Sequence, residues 1–599
     1  MEFKSSAPEN VFNNENYLNY LVQYQGDIIG EFSGEDGIYA TLINNRYAII
    51  TIDKNLQEYE NDISMIKYKK ENGRDVEIDS ITYIKNPEGY VLQEISPLEA
   101  ANVEYVQIQS YFNLTGRGVI VGILDTGIDY LNEEFMDSDG NTRILGIWDQ
   151  TISSESSSND NLPYGTFYSE EDINRAIRLS REGGDPYTIV PSKDEVGHGT
   201  SMAGIIGSSG KNPRLKGVAP DCKFLVVKLA QSLYYKKEYE INIPIYNITE
   251  IFTGIQYLYS YFLKGSQSMI IYLPLGTNRG SHKGTSMLEE FLDSILINRG
   301  IALVTGAGNE GTALLHGSGT IKPDGQVTTH EFNIDENQKK IIIEVWVQIP
   351  SIASIEIVSP TGGTTGIIQP FFGKGDRYDF TIERTTVLVS YYVPEEIYED
   401  SLILVILDNV QAGTWSFKFR GLKEIEGRYD IWLPPRGVSK AATKMIPSDP
   451  YGTVTVPGTS SSVITVAAYN QLNNTQLNYS GRGFQDNYID IIDVAAGGVD
   501  ALTVAPDNKT TLANGTSVAA AIVAGICVLL FQWGIVEGNY PYMFSQTLKA
   551  FIARGTRKRK GDTYPNPEWG YGIVDIFNMF NLTNWFTLLY KIYFENLLY

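Results

Sequence analysis

The sequence predicts an α/β protein: a doubly wound, largely parallel sheet, preceded by a small α+β unit and interrupted by an all-β insertion. Three observations carry this. Gly118 to Asp125, Phe224 to Leu229, Ser268 to Leu275 and Ile301 to Gly306 are short continuous apolar runs, as parallel strands covered on both faces require. Tyr246 to Lys264 and Ser286 to Asn298 alternate with them and have helical periodicity, giving the βαβ rhythm of a sheet whose sites gather at the carboxyl ends of its strands. Between about 313 and 450 that rhythm stops.

Taken in order, residues 1–96 alternate or cluster β-formers at Leu18 to Tyr24, Gly37 to Leu42, Tyr47 to Asp53 and Ile81 to Lys85, with Asn44-Asn45 as a turn and Leu56 to Met65 as the best helix. The α/β texture fills 97–312 and returns over 451–584 from Val463 to Ala468 onward. In 313–450, Ile341 to Gln348, Ser354 to Ser359, Tyr378 to Ile382, Thr386 to Tyr392, Leu402 to Leu407, Thr414 to Arg420 and Tyr429 to Leu433 are short runs between glycine, proline and acidic turns. They predict a β-sandwich or jelly roll. The apolar tail 585–599, charged only at Lys591 and Glu595, is expected to pack on the catalytic unit, with contact to a partner or a membrane surface as the alternative.

Composition narrows the function. A chain of 599 residues exceeds one core, and 43% hydrophobic residues mark it as globular. A formal charge of -24 argues against nucleic acid, which needs a basic face. Cys222 and Cys527, each among apolar neighbours, read as core residues rather than a disulfide or metal framework. The N-terminus has no basic-then-apolar pattern and no stretch reaches about 18 apolar residues, so the expectation is cytoplasmic synthesis without Sec export and no membrane span. No cofactor or metal is expected.

The chemistry sits at element ends. Ser517, in Asn514-Gly515-Thr516-Ser517, opens the apolar run Ala519 to Leu530, where unpaired N–H groups and the helix dipole favour negative charge. His198, in Gly197-His198-Gly199-Thr200, opens another helix, and Asp125 ends the strand from Val119 in Asp125-Thr126-Gly127. Gly306-Ala307-Gly308-Asn309 follows a buried strand. Singly these have ordinary readings: a helix cap, a core histidine, a turn carboxylate, a loop. Jointly they supply what a serine nucleophile needs, namely a base with a pKa near neutrality, a carboxylate to orient it and an amide donor for the oxyanion.

These four segments, with Gly217-Val218-Ala219-Pro220, closely resemble the signatures of the subtilisin-like serine peptidases over about 100–312 and 450–582. The resemblance implies Asp125, His198 and Ser517 as the triad and Asn309 as oxyanion donor. It also implies Pro274-Leu275-Gly276 and Gly306-Ala307-Gly308 as substrate-binding segments. It makes 1–96 a propeptide, chaperone and bound inhibitor, whose tail, Glu88 to Leu98, enters the cleft and is cut by the enzyme near Gln93 to Pro97. The layout with a β-insertion is similar to the clostridial Csp germination proteases, which implies a spore-associated protein that activates a cortex-hydrolase zymogen. The alternative is a non-proteolytic pseudoprotease scaffold or signalling protein, as in Csp relatives that have lost triad residues; the intact triad counts against it.

The sequence departs from the family in four places. Ala521 replaces the usual proline after the serine, Ser201 the second histidine, and Pro274 the serine of the substrate edge, where it loses an N–H but keeps its carbonyl. Lys211 falls where the calcium loop has a ligand asparagine, so calcium is not expected there. The Asn514-Gly515-Thr516 sequon lies at the nucleophile and is read as a false positive.

Overall fold

The computed structural model describes residues 4–8, 11–12, 14–33, 37–56, 68–69, 75–76, 80–85, 87, 89–92, 101–108, 112–153, 162–323, 325–371, 375–393, 400–422, 425–485 and 491–580. Its centre is a nine-stranded sheet. Ile144–Asp149, Lys223–Lys228, Val119–Asp125, Ser268–Tyr272, Ile301–Gly306, Ile464–Asn470 and Val494–Gly497 run parallel in that spatial order. Both faces are covered, which explains the continuous apolar runs. Val119, Val121 and Ile123 pack towards helices His198–Gly207 and Thr516–Phe531. Ile120 and Leu124 pack towards Ile248–Lys264 and Met287–Leu296.

Every residue of Thr516–Phe531 is buried. Its continuation to Val536 makes a 21-residue stretch, whose most apolar 18-residue window has a mean hydropathy of 2.3, long and apolar enough to cross a membrane. Within the protein 89% of its apolar window is buried, so here it is the axle of the core. Both cysteines are buried and free, and burial pushes the Cys222 thiol up to about 12.

The N-terminal unit has a five-stranded antiparallel sheet in the order Lys4–Ser5, Ile38–Leu42, Tyr47–Asp53, Tyr17–Tyr24, Ile81–Lys85. Strand alternation divides its apolar residues between two cores. Leu18, Tyr20, Val22, Ile50 and Ile52 pack with Ile28 and Phe32 around a short helix, Ile28–Glu31, that the sequence did not predict. Leu21, Tyr47 and Ile49 turn to the opposite face and join the core around helix Ile248–Lys264. The Asn44 side chain accepts from the Arg46 and Tyr47 N–H groups, at 2.9 and 2.8 Å, and sets the expected turn. Of the expected helix Leu56 to Met65, all but Leu56 lies outside the described residues, as does the tail 585–599.

The insertion is two antiparallel sheets around one apolar core that includes Trp415, Phe417 and Phe419. The six-stranded sheet runs His316–Ile321, Gly427–Trp432, Lys340–Val347, Ser401–Asp408, Thr385–Tyr392, Asp376–Phe380. The four-stranded sheet runs Ala353–Val358, Gly413–Gly421, Val327–Ile334, Lys444–Ile446. Three of these strands have no counterpart in the sequence reading: His316–Ile321 is diluted by Gly317 and Gly319, Val327–Ile334 carries four polar residues in a row, and Lys444–Ile446 is very short.

One helix boundary also differs. The periodic stretch from Tyr246 starts its helix only at Ile248, and Ile245–Asn247 is a strand. Asn247, with extended backbone (φ -85°, ψ 154°), is the cap residue.

Candidate active site

The Asp125 carboxylate lies at the carboxyl end of the central strand and receives the His198 imidazole: Nδ1 is 2.8 Å from Oδ2 and 2.9 Å from Oδ1. The Thr126 N–H donates to the same carboxylate at 2.6 Å. His198 is the first residue of its helix, and the chain reaches it through Gly197 at φ +83°, a conformation that favours glycine. Asp194 ties down that entry: its carboxylate accepts from the Gly197 N–H at 2.8 Å, the Thr200 N–H at 2.9 Å and the Thr200 hydroxyl at 2.7 Å. Gly199 then passes so close to the Asp125 loop that a β-carbon there would lie 2.2 Å from the Gly127 carbonyl oxygen. Its N–H donates to Thr126 Oγ1 at 2.9 Å. The histidine and aspartate are therefore fixed to each other through their neighbours as well as directly.

Ser517 lies in the first turn of the axle helix, which follows Gly515. It is fully buried, and its Oγ makes no hydrogen bond to a described residue. The Ser517 carbonyl accepts from the Tyr272 hydroxyl at 2.6 Å, so the last residue of strand Ser268–Tyr272 fixes the backbone of Ser517. Asn309 Oδ1 accepts from Thr516, at 3.4 Å from the N–H and 3.2 Å from the hydroxyl. Those contacts fix the amide with its oxygen towards Thr516.

Gly306 ends its strand, Ala307 is pinned through its N–H to the Val466 carbonyl at 2.8 Å, and the Gly308 carbonyl accepts from Gly481 at 2.8 Å. Pro274 lies between the strand ending at Tyr272 and the short strand Leu275–Gly276.

Leu275–Gly276 is an edge of a small antiparallel sheet whose middle strand, Gly89–Leu92, comes from the N-terminal unit. Leu92 faces Leu275 and Val91 faces Gly276. On the other side Val91, Tyr90 and Gly89 face Ile245, Tyr246 and Asn247. The chain that leaves the N-terminal unit is thus clamped between two backbone edges at the carboxyl end of the main sheet. Ile245–Asn247 as the second edge was absent from the sequence reading. Pro244, which holds its predecessor extended, and Asn247-Ile248-Thr249-Glu250, a cap signature, were the signals for it. Asp194, Tyr272 and Thr516 were also missed as supporting residues; only Asp194, three before Gly197, has the local pattern of a cap.

At the loop where the sequence reading excluded calcium, Lys211 pairs with Glu133, and the N–H groups of Gly210, Lys211 and Asn212 converge on the Glu134 carboxylate at 2.7 to 3.1 Å.

An imidazole bound to a buried carboxylate, a helix-opening serine and an asparagine amide are the elements of a serine peptidase centre of the Asp–His–Ser type. The chain matches the subtilase family over residues 116–342 and 449–572, and it belongs to that family. The matched segments break across most of the β-insertion. The chain is similar to the solved structure of the Clostridium perfringens CspB protease, with 31% identity and a TM-score of 0.71 over 80% of this chain and 95% of that one. It is also 28% identical to an intracellular serine protease of Paenibacillus polymyxa over 154 residues, 24% of this chain and 36% of that protein. The chain therefore spans about a third of that relative's length.

Proposed function

We propose that this protein is a self-processing serine endopeptidase, with residues 1–96 as its propeptide and the β-insertion as a jelly-roll-like domain. The observation that carries the reading is the strand Gly89–Leu92 between the two cleft edges, in the antiparallel pairing a substrate backbone adopts. The expected cleavage window, Gln93 to Pro97, lies outside the described residues. It follows directly on Leu92 in the sequence, so Gln93–Glu94 is the first bond in the window.

In the proposed cycle His198 accepts the Ser517 proton as Oγ attacks the scissile carbonyl, and Asp125 holds the imidazole and stabilises its charged form. Asn309 and the Ser517 N–H stabilise the oxyanion. His198 then protonates the departing amine, and water hydrolyses the acyl-enzyme by the same route. No metal or cofactor enters these steps. The missing Ser517 hydrogen bond fits a resting site, because such bonds often tighten only around substrate.

The likeness to the C. perfringens CspB protease supports a protein substrate. On that likeness we infer a spore-associated enzyme that activates a cortex-hydrolase zymogen at germination. The direct test is fluorophosphonate labelling and mass determination of purified wild type and Ser517→Ala. Wild type is expected to be cut between Gln93 and Pro97 and labelled, and Ser517→Ala to stay whole and unlabelled. Cleavage that persists in Ser517→Ala would exclude self-processing. Activation of a purified zymogen by wild type alone would establish the substrate class.

A further inference from the structure

We propose that Tyr235 and Arg279 form a distant subsite that grips a backbone carbonyl of the peptide in the cleft, five residues before Leu92, and that the β-insertion helps to build it. The proposal rests on reading Gly89–Leu92 as the cleft's occupant.

The Pro87 carbonyl oxygen receives two donors, the Tyr235 hydroxyl and Arg279 Nη1, the latter at 2.6 Å. Arg279 lies three residues past Gly276, so one segment carries both the cleft edge and this donor. The guanidinium is held from behind: Nε donates to Glu344 Oε1 at 2.6 Å, and the two side chains are only 11% and 5% exposed. Glu344 belongs to insertion strand Lys340–Val347, and its other oxygen accepts from the Gly280 N–H at 2.8 Å and Trp346 Nε1 at 3.0 Å. Asn278 Nδ2 adds a bond to the insertion's Leu433 carbonyl at 3.1 Å. Tyr235 is positioned by stacking on Tyr239, with ring centroids 5.4 Å apart.

A carbonyl gripped by a charged donor and a hydroxyl is recognised whatever side chain it carries. Moreover, Pro87 brings no N–H of its own. The ligand class is therefore an extended polypeptide, selected here by length rather than sequence. The same geometry gives the insertion a part in substrate binding, since Arg279 without Glu344 would be a buried cation with its principal partner gone.

Two acetylated peptides with the sequences of residues 85–97 and 89–97 test this on the processed protein. Wild type is expected to cleave the longer peptide with a several-fold lower KM and a similar kcat. Tyr235→Phe, which removes only a hydroxyl, and Arg279→Gln are each expected to bring the KM of the longer peptide up to that of the shorter one. A wild type that does not distinguish the two lengths, or variants that preserve the gap, would overturn the proposal. A second readout needs no catalysis. In full-length Ser517→Ala, adding Tyr235→Phe is expected to speed amide exchange at Gly89–Leu92 several-fold, while Tyr17–Tyr24 and Tyr47–Asp53 keep theirs. Unchanged exchange at Gly89–Leu92 would equally overturn it. A chain that cleaves neither peptide and also stays whole between Gln93 and Pro97 would refute the protease reading, and amide exchange would still decide the subsite.

Discussion

Glu250 is expected to make the docking of the N-terminal unit sensitive to pH. It lies in the first turn of helix Ile248–Lys264, fully buried beneath strand Tyr17–Tyr24. Burial pushes its carboxyl up to about 7 from an ordinary 4.5, opposed in part by hydrogen bonds from Thr249, its own N–H and Asn19. The Asn19 contact is long, 3.4 Å, and comes from the N-terminal unit itself. When that unit leaves, the carboxyl meets water and returns towards its ordinary value. The docked state then holds more protons than the separated state between pH 4.5 and 7. Docking is at full strength below about 4.5 and weakens as pH rises through 7.

A raised value of 7 against 4.5 corresponds to about 3 kcal/mol, or roughly 300-fold in affinity, if Glu250 becomes fully solvated on separation. Glu250→Gln keeps the shape and stays neutral, so it is expected to flatten this dependence and to dock more tightly than wild type at pH 8.5. The assay is dissociation of a labelled N-terminal unit from protein severed between residues 93 and 97, followed by anisotropy at pH 5.5, 7 and 8.5. If Glu250→Gln and wild type weaken equally with pH, another group carries the dependence and the reasoning is wrong.

Other expectations follow from single contacts. Gly199→Ala puts a methyl 2.2 Å from the Gly127 oxygen, between segments that cannot both yield; it should cost about 1–3 kcal/mol of stability. By shifting His198 about 1 Å it should also lower kcat roughly 100-fold, which peptide kinetics and thermal unfolding would show. Asn309→Ala should lower kcat by roughly 100- to 1,000-fold, the effect of the corresponding donor in subtilisin, with little change in KM. Burial pushes both His282 and His330 down to about 4, against the carbonyls of Asn278 and Val454 for His282 and of Pro447 for His330. Unfolding releases them to an ordinary 6.5, so stability is full above 6.5 and is lost as pH falls towards 4, by about 3 kcal/mol for each ring. Protection factors of the amides in strand Gly427–Trp432, which divide out the slower intrinsic exchange at low pH, should fall between pH 7.5 and 5 in wild type and fall less in His330→Gln.

The candidate site residues stand out in the sequence because each sits where a local pattern changes. Asp125, His198 and Ser517 are polar residues at the ends of apolar runs, beside glycines that mark tight turns. Parallel strands buried on both faces leave long apolar signatures, so the central sheet was readable almost strand by strand. Signals failed where a strand's role depends on its partner. Val327–Ile334 buries His330, Phe332 and Ile334 and leaves polar residues between them, so its hydrophobicity is diluted although its alternation is sound. Ile245–Asn247 is three residues long and runs into a helix; only the arrival of Gly89–Leu92 makes it an edge.

The same distinction separates the two halves of the cleft. The proposed catalytic half is built from residues whose backbone neighbours fix them: the Thr126 N–H on Asp125, the Asp194 cap before His198, and the helix turn at Ser517. The binding half is built across long separations. Arg279 meets Glu344 across 65 positions and Pro87 across 192. No periodicity or motif encodes such contacts, because in the sequence Arg279 and Glu344 are each an ordinary charged residue, and burial penalises either one left without its partner. Chemistry was therefore readable from segments, whereas what the cleft accepts depends on how the insertion and the N-terminal unit close around it.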